Sequence, residues 1–293
     1  MATYSIKDIE HLSGIKAHTL RIWEKRYNII EPKRTQTNIR YYDDEDLKKI
    51  LNISVLNRYG YKISNIANLP EQQLSYEILN LTNRYGDLSA QVENLIVAMV
   101  DFDRVYFDDI FNKSIIARGL EETMTKVIYP FFEKIGILWQ TGNINPAQEH
   151  FISNLIRQKL IVSIDNLPEH QNHNSRNFIL FLPDGEWHEL GLLFYSYFIK
   201  KSGHRVTYLG TSVPLQSVID MKKFIQVDYV VTYIKVSKSS SEYKNYLYDL
   251  ANGFGGKSIF LLGTFPQELT FKLPEQCIRP DSLENFKSYL ETI

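Results

Sequence analysis

The sequence predicts a multidomain chain: a small head of short helices, a helical bundle, and an α/β domain built on a parallel sheet. Three observations carry this. The 293 residues are enough for about two domains at roughly 150 residues each. Near residue 178 the hydrophobic spacing changes from three-and-four steps to short continuous apolar runs alternating with helical stretches. The charge also changes sign along the chain. Residues 1–75 hold twelve Lys and Arg against nine Asp and Glu, whereas the remainder holds twenty-one against twenty-five.

Composition narrows the class further. With 44% hydrophobic and 23% charged residues, disordered and collagen-like chains are excluded. A lone cysteine, Cys277, leaves no internal disulfide and no Cys-rich zinc site. No 18-residue apolar run is present and residues 1–20 lack a signal-peptide core, so a cytoplasmic protein without membrane contact is expected.

In the head, Ser5 caps a helix through Ile6–Leu12, with Ile6, Ile9 and Leu12 three apart on one face, and Gly14 breaks it. A second helix starts at His18 with Leu20 and Trp23 inward, which is helix-turn-helix spacing. Asp43 caps a third helix, Asp46–Tyr59, ended by Gly60, and Ile63 and Ile66 open a short fourth. From 76 to 165 the pattern is helical. Ile78, Leu79, Val92, Leu95, Ile96 and Met99 mark one stretch interrupted around Gly86. Phe107–Ala117, Leu120–Ile135 with a kink expected at Pro130, and Ala147–Ile164 complete a four-helix bundle.

Residues 166–177 are polar and contain a proline, which marks a linker. After it, the runs FILFLP, RVTYLG, YVVTYI and KSIFLLG alternate with helices, and QCIRP offers a short last strand before helix Ser282–Leu290. Alternation at this spacing gives a parallel sheet covered on both faces, here five-stranded and flavodoxin-like. The expected domains are therefore 1–75, 76–165 and 178–293, joined by the linker 166–177.

Arg21, Lys25 and Arg26 lie on the exposed side of the second helix or at its end, where basic side chains can enter a major groove. Lys33, Arg34, Arg40 and Tyr41 follow outside a helix, as a wing suited to phosphate and sugar contacts. His188 stands just after a strand and before a helix, where ligands bind such sheets. Imidazole suits a transition metal, and Glu186 is the candidate carboxylate to orient it; a plain helix-cap histidine is the alternative. Trp139 precedes Glu149 and His150 by ten residues across a helix junction, an arrangement that suits either a ligand lid or ordinary core packing.

The stretch from Tyr4 to Ile50 resembles the winged-helix domain of the MerR family of bacterial regulators. Thr19-Leu20-Arg21, Trp23-Glu24, Arg26-Tyr27, Pro32, Arg34, Arg40-Tyr41 and Asp46-Leu47 carry the likeness. The resemblance implies DNA contact through Lys16, His18, Thr19, Arg21, Lys25 and Arg26, with Tyr27, Arg34, Arg40 and Tyr41 bracing the wing and touching backbone. It also implies a palindromic operator bound by a homodimer or homotetramer.

From about 78 onward the chain resembles a cobalamin-binding module, in particular that of light-responsive MerR-like repressors using adenosylcobalamin. Glu186-x-His188-x-x-Gly191, Trp139-x9-Glu149-His150 and the VTYLGTSVP run with Gly210 carry this likeness. By resemblance His188 ligates cobalt from below, Trp139 covers the upper face, and Glu149 and His150 surround the adenosyl group. Gly210 and Thr211 line the nucleotide tail, as do Thr232 and Gly263 near the ends of their strands.

Three departures stand out. Gln140 replaces the histidine expected to capture cobalt after photolysis; Tyr233 stands where a small residue borders the tail channel; Thr264 replaces the second glycine of a Gly-Gly pair. The expected function is a DNA-binding repressor that senses cobalamin, foremost adenosylcobalamin; the resemblance adds light as a signal, which Gln140 leaves open. The alternative is a cofactor-independent regulator with a degenerate cobalamin fold, controlled by contacts with a protein antagonist. An enzyme is not expected, because the chain shows no nucleophile–base arrangement and no phosphate-cradling glycine loop.

Overall fold

The computed structural model describes residues 3–35, 37–70, 73–74, 77, 88–140, 145–168, 175–235, 240–264 and 271–293, with backbone alone at 137–140, 234–235, 240–241 and 264. Ile78, Leu79 and Gly86, the expected start and interruption of the first bundle helix, lie outside the described residues. The chain forms two compact units, Met1–Leu155 and Ile156–Ile293.

In the first unit, α1 (Ile6–Ser13) opens with the expected cap. The Ser5 hydroxyl accepts the Asp8 N–H and the Asp8 carboxylate accepts that of Ser5, and Gly14 ends the helix at φ +73°. Helix α2 (Ala17–Tyr27) follows, burying Leu20 and Trp23. Strands β1 (Lys33–Arg34) and β2 (Arg40–Tyr41) pair antiparallel, Lys33 opposite Tyr41 and Arg34 opposite Arg40. Helix α3 (Asp44–Arg58) starts from a capping box between Asp43 and Asp46, and α4 (Ile63–Ile66) is one short turn.

Helix α5 (Leu88–Val100) is buried almost all round, as a helix at the centre of a bundle should be. Helix α6 (Arg104–Thr123) is interrupted at Gly119, where φ +78° and ψ 174° leave the helical region. A π turn, Met124–Ile128, then leads into α7 (Tyr129–Gln140), and α8 (Pro146–Asp165) follows. The kink expected at Pro130 is thus misplaced. Pro130 follows directly on the π turn in an unbroken helical backbone, and that wider turn leaves room for its ring. The break comes from the glycine, which alone adopts that backbone without strain.

Glu93 is a deeply buried charged side chain of this unit. The Glu93 side chain is 2% exposed and accepts hydrogen bonds from Ser54 Oγ (2.8 Å) and Arg58 Nη2 (2.6 Å), with Lys134 Nζ at 3.7 Å. Lys134 also donates to the Leu12 carbonyl at 2.9 Å. Elements α1, α3, α5 and α7 are therefore joined through one carboxylate.

The second unit is a five-stranded parallel sheet in the order β4-β3-β5-β6-β7. Its strands are β3 (Asn177–Pro183), β4 (Arg205–Val213), β5 (Tyr229–Lys235), β6 (Ser258–Thr264) and β7 (Cys277–Ile278). This is the flavodoxin-like order, whose switch falls beside β3. Helices α9 (Leu190–Lys201), α10 (Leu215–Asp220), α11 (Ser240–Phe254) and α12 (Leu283–Glu291) cover it. Ile179, Phe181, Val230 and Ile259 pack with Val218, Leu247 and Leu250 of α10 and α11. On the other face Phe260 meets Phe286 of α12 edge-on, and Phe286 meets Tyr195 of α9. Among the described residues, no helix is long and apolar enough to cross a membrane.

Candidate functional site

Helix α2 presents His18, Arg21, Ile22, Lys25 and Arg26 to solvent while Leu20 and Trp23 are buried. Positions 18, 21–22 and 25 recur every three to four residues, so one exposed basic stripe runs the length of the helix. Lys16, at the N-cap, pairs with Glu10 at 3.0 Å, and Thr19 is half-buried. The Arg26 guanidinium lies 6.0 Å from the centre of the Tyr27 ring.

Non-local contacts hold this helix and the wing in place. The Glu10 carboxylate accepts the Ala17 N–H at 3.1 Å, capping α2 from the preceding helix because Lys16 has no acceptor to offer. Glu24 accepts from Arg40 Nε at 3.2 Å and from the Tyr42 hydroxyl at 2.5 Å. Tyr42 is fully buried, and burial together with the Glu24 carboxylate pushes its phenol above the usual range. At the hairpin tip Arg34 donates to the Asn38 carbonyl and side chain, and Asn38 takes φ +65°. Tyr41 is half-buried on β2. Sequence reading missed Glu10, Glu24 and Tyr42. An acidic residue amid a basic stripe, as at Glu24, was the available signal.

In the second unit, Glu186 and His188 meet at the C-terminal end of β3. Glu186 Oε1 accepts the N–H groups of Trp187 and His188, each at 2.8 Å, and lies 2.6 Å from His188 Nδ1. Burial disfavours the carboxylate charge, yet the N–H and ring of His188 and the N–H of Trp187 together hold its pKa below the usual value. The imidazole itself is 65% exposed. Next to it, Glu189 accepts from the Tyr208 hydroxyl at 2.8 Å and pairs with Arg157.

The loop is tied to the end of β4. The Ser212 N–H donates to the Glu186 carbonyl, its hydroxyl accepts from Gly185 N–H and donates to Asp184. Ser212 reaches this position through φ +51°, just past a register slip in which Gly210, at φ +84°, faces Phe181. Sequence reading found Gly210 and missed Ser212. Thr211 stands half-buried between them.

Gly191, in the first turn of α9, packs directly against Tyr233. A Cβ there would lie 2.6 Å from Tyr233 Cε2 and 3.0 Å from Cζ. Thr232, one residue earlier on β5, takes the opposite face. It is fully buried and its Oγ1 has no hydrogen-bond partner. Gly263 is exposed at the end of β6, at φ +110°.

The other expected ligand residues belong to the first unit. Trp139 and Gln140 end α7, and their side chains lie outside the described ones. Glu149 and His150 occupy the first turn of α8, 3.6 Å apart at His150 Nδ1, and Ser153 Oγ donates to Glu149. No group of three or more metal-ligating side chains is found among the described residues.

Two family models match this chain, both before the parallel sheet. The model of the MerR HTH family regulatory proteins matches residues 4–73, and that of the B12 binding domain matches residues 91–162. The HTH-type transcriptional repressor CarH of Myxococcus xanthus is 26% identical over 251 residues, covering 84% of this chain and 83% of that protein. The repressor CarA of the same organism is 26% identical over 283 residues, covering 89% and 91%. The regulator MlrA of Escherichia coli (strain K12) is 32% identical over 87 residues, 34% of its length. These relatives are transcriptional regulators by name. The monomethylamine corrinoid protein of Methanosarcina barkeri superposes with a TM-score of 0.53 at 17% identity, covering 75% of this chain and all of that one, which speaks to fold alone.

Proposed function

Because this chain joins a MerR-type helix-turn-helix domain to a B12-binding domain, we propose that it is a DNA-binding transcriptional repressor whose sensor takes a corrinoid. The observation that carries the ligand half is the Glu186–His188 pair at the C-terminal end of β3. Its imidazole is held by a carboxylate at 2.6 Å, the arrangement that orients a metal-binding histidine. The donor set therefore fits a corrinoid, whose cobalt His188 would hold while Glu186 fixes the imidazole ring. The surroundings of Gly191 fit less well, because the Tyr233 ring packs directly against that glycine.

When bound, a corrinoid supplies a cobalt centre whose axial bonds, including a light-labile bond to carbon, can be made and broken. The chain's own part is to present His188, to fix its ring through Glu186, and to couple the occupied sensor to the head. Adenosylcobalamin is the form we favour. The Gln140 amide is a weaker metal ligand than the histidine that the resemblance leads one to expect at this position.

Domains at 1–75, 76–165 and 178–293 around a linker at 166–177, a homodimer or homotetramer, a palindromic operator and a cytoplasmic location belong to the same reading. Ligand binding shifts such a regulator only as far as it prefers one arrangement over another. The Gly191–Tyr233 packing favours a second reading, a regulator that needs no cofactor and answers to a protein antagonist.

The test is to select duplexes from a random pool with the full chain, then to measure their affinity with and without adenosylcobalamin, in darkness and after green light. A ligand-dependent change in affinity supports the corrinoid-sensing repressor. Selected DNA whose affinity ignores the cofactor in both conditions moves the assignment to the cofactor-free regulator.

A further inference from the structure

The resemblance gives the end of β5 to the nucleotide tail of cobalamin, yet the structure closes that place with one of the chain's own side chains. Tyr233 lies against Gly191, so close that no residue with a Cβ fits opposite it without displacing the ring. The glycine of the Glu-x-His-x-x-Gly motif is thereby accounted for inside the protein: it seats a tyrosine. Tyr233 is half-buried. The loop before α9 thus presents His188, and the first turn of α9 seats the Tyr233 ring of β5.

We propose that Tyr233 is a specificity residue, which makes this sensor select a corrinoid lacking the lower nucleotide over cobalamin itself. This rests on the corrinoid reading above. A bicyclic dimethylbenzimidazole needs more room than a phenol packed on Gly191 leaves, whereas a cobinamide needs only the corrin surface and the His188 ligand. Thr232 does not relieve the conflict. It points to the opposite face, buried with its Oγ1 unpartnered, and adds no room on the Gly191 side.

The experiment is equilibrium dialysis of the full chain against hydroxocobinamide and, separately, hydroxocobalamin, with visible spectra of the retained corrinoid. The wild type should hold cobinamide about ten- to hundredfold more tightly, the range expected for forcing an overpacked contact. Tyr233→Ser should remove that preference by gaining cobalamin affinity, and Tyr233→Phe, which keeps the bulk, should retain it. Equal binding of both corrinoids by the wild type overturns the proposal and leaves the corrinoid reading standing; so does a Tyr233→Phe that loses the preference. Should Tyr233→Ser fail to fold, Tyr233→Val, a smaller strand-forming side chain, takes its place with the same expected loss of preference. Failure of wild type and variants to retain either corrinoid overturns the proposal together with the corrinoid reading.

Discussion

Replacing Glu24 with alanine removes the clamp between the basic helix and the wing. The carboxylate is 8% exposed and bonds two partners that differ in consequence. Tyr42 is fully buried and would keep an unpaired hydroxyl, a loss of about 1.5–3 kcal/mol for a bond to a charged group. Arg40 is one-third exposed and can rehydrate, so its share is about 0.5–1 kcal/mol. Local stability of α2 and the hairpin should therefore fall by about 2–4 kcal/mol, or about thirtyfold to several hundredfold in the opening equilibrium. Amide hydrogen exchange of the full chain, read on residues 17–42, measures this directly. Tyr42→Phe should lose part of the same energy, and the double variant should lose less than the two single losses combined. Additive losses, or an unchanged exchange pattern in Glu24→Ala, would refute the clamp.

Other perturbations give separate outcomes. Glu93→Ala leaves Arg58 and Lys134 without their shared anion and should destabilise the first unit by about 3 kcal/mol in urea unfolding, the low end for a broken buried pair because both cations stay partly exposed; a loss under about 1 kcal/mol speaks against a structural hub. Glu186, with its pKa lowered in the folded chain, contributes stability above its unfolded value of about 4.3, lost as pH falls through the folded value. Glu186→Gln should flatten that acid limb, whereas Glu93, its pKa raised chiefly by burial, contributes with the opposite sign. Lys25→Ala with Arg26→Ala should reduce the slope of log affinity for DNA against log salt by up to about 2 if both touch phosphate; an unchanged slope removes them from the interface.

Much of the fold was legible because it depends on local chemistry. Ser5, Asp43 and Ser282 each cap the helix that follows, and the runs from FILFLP to KSIFLLG became parallel strands, buried in β3 and only half-buried along the edge strand β4. The exposed basic stripe on α2 and the Glu186–His188 contact were readable for the same reason, since helical and two-residue spacings fix which groups are neighbours.

What stayed hidden depends on distance along the chain or on a subtle backbone choice. Glu10 caps α2 from seven residues away, and Glu24 holds Tyr42 across eighteen. Pro130 was the conspicuous helix breaker, yet Gly119 and a π turn take the irregularity. The Tyr233 departure was visible as a bulky residue at a strand end, but its seat on Gly191, forty-two positions earlier, comes only from the parallel sheet bringing β5 beside α9.

The most direct test of the central claim is the visible spectrum of hydroxocobinamide and hydroxocobalamin retained by the purified full chain, beside its His188→Ala variant. The account predicts that at least one corrinoid stays bound to the wild type with the spectrum of histidine ligation, and that His188→Ala loses that spectrum. Retention of neither corrinoid, or the same spectrum from the His188→Ala variant, would contradict it.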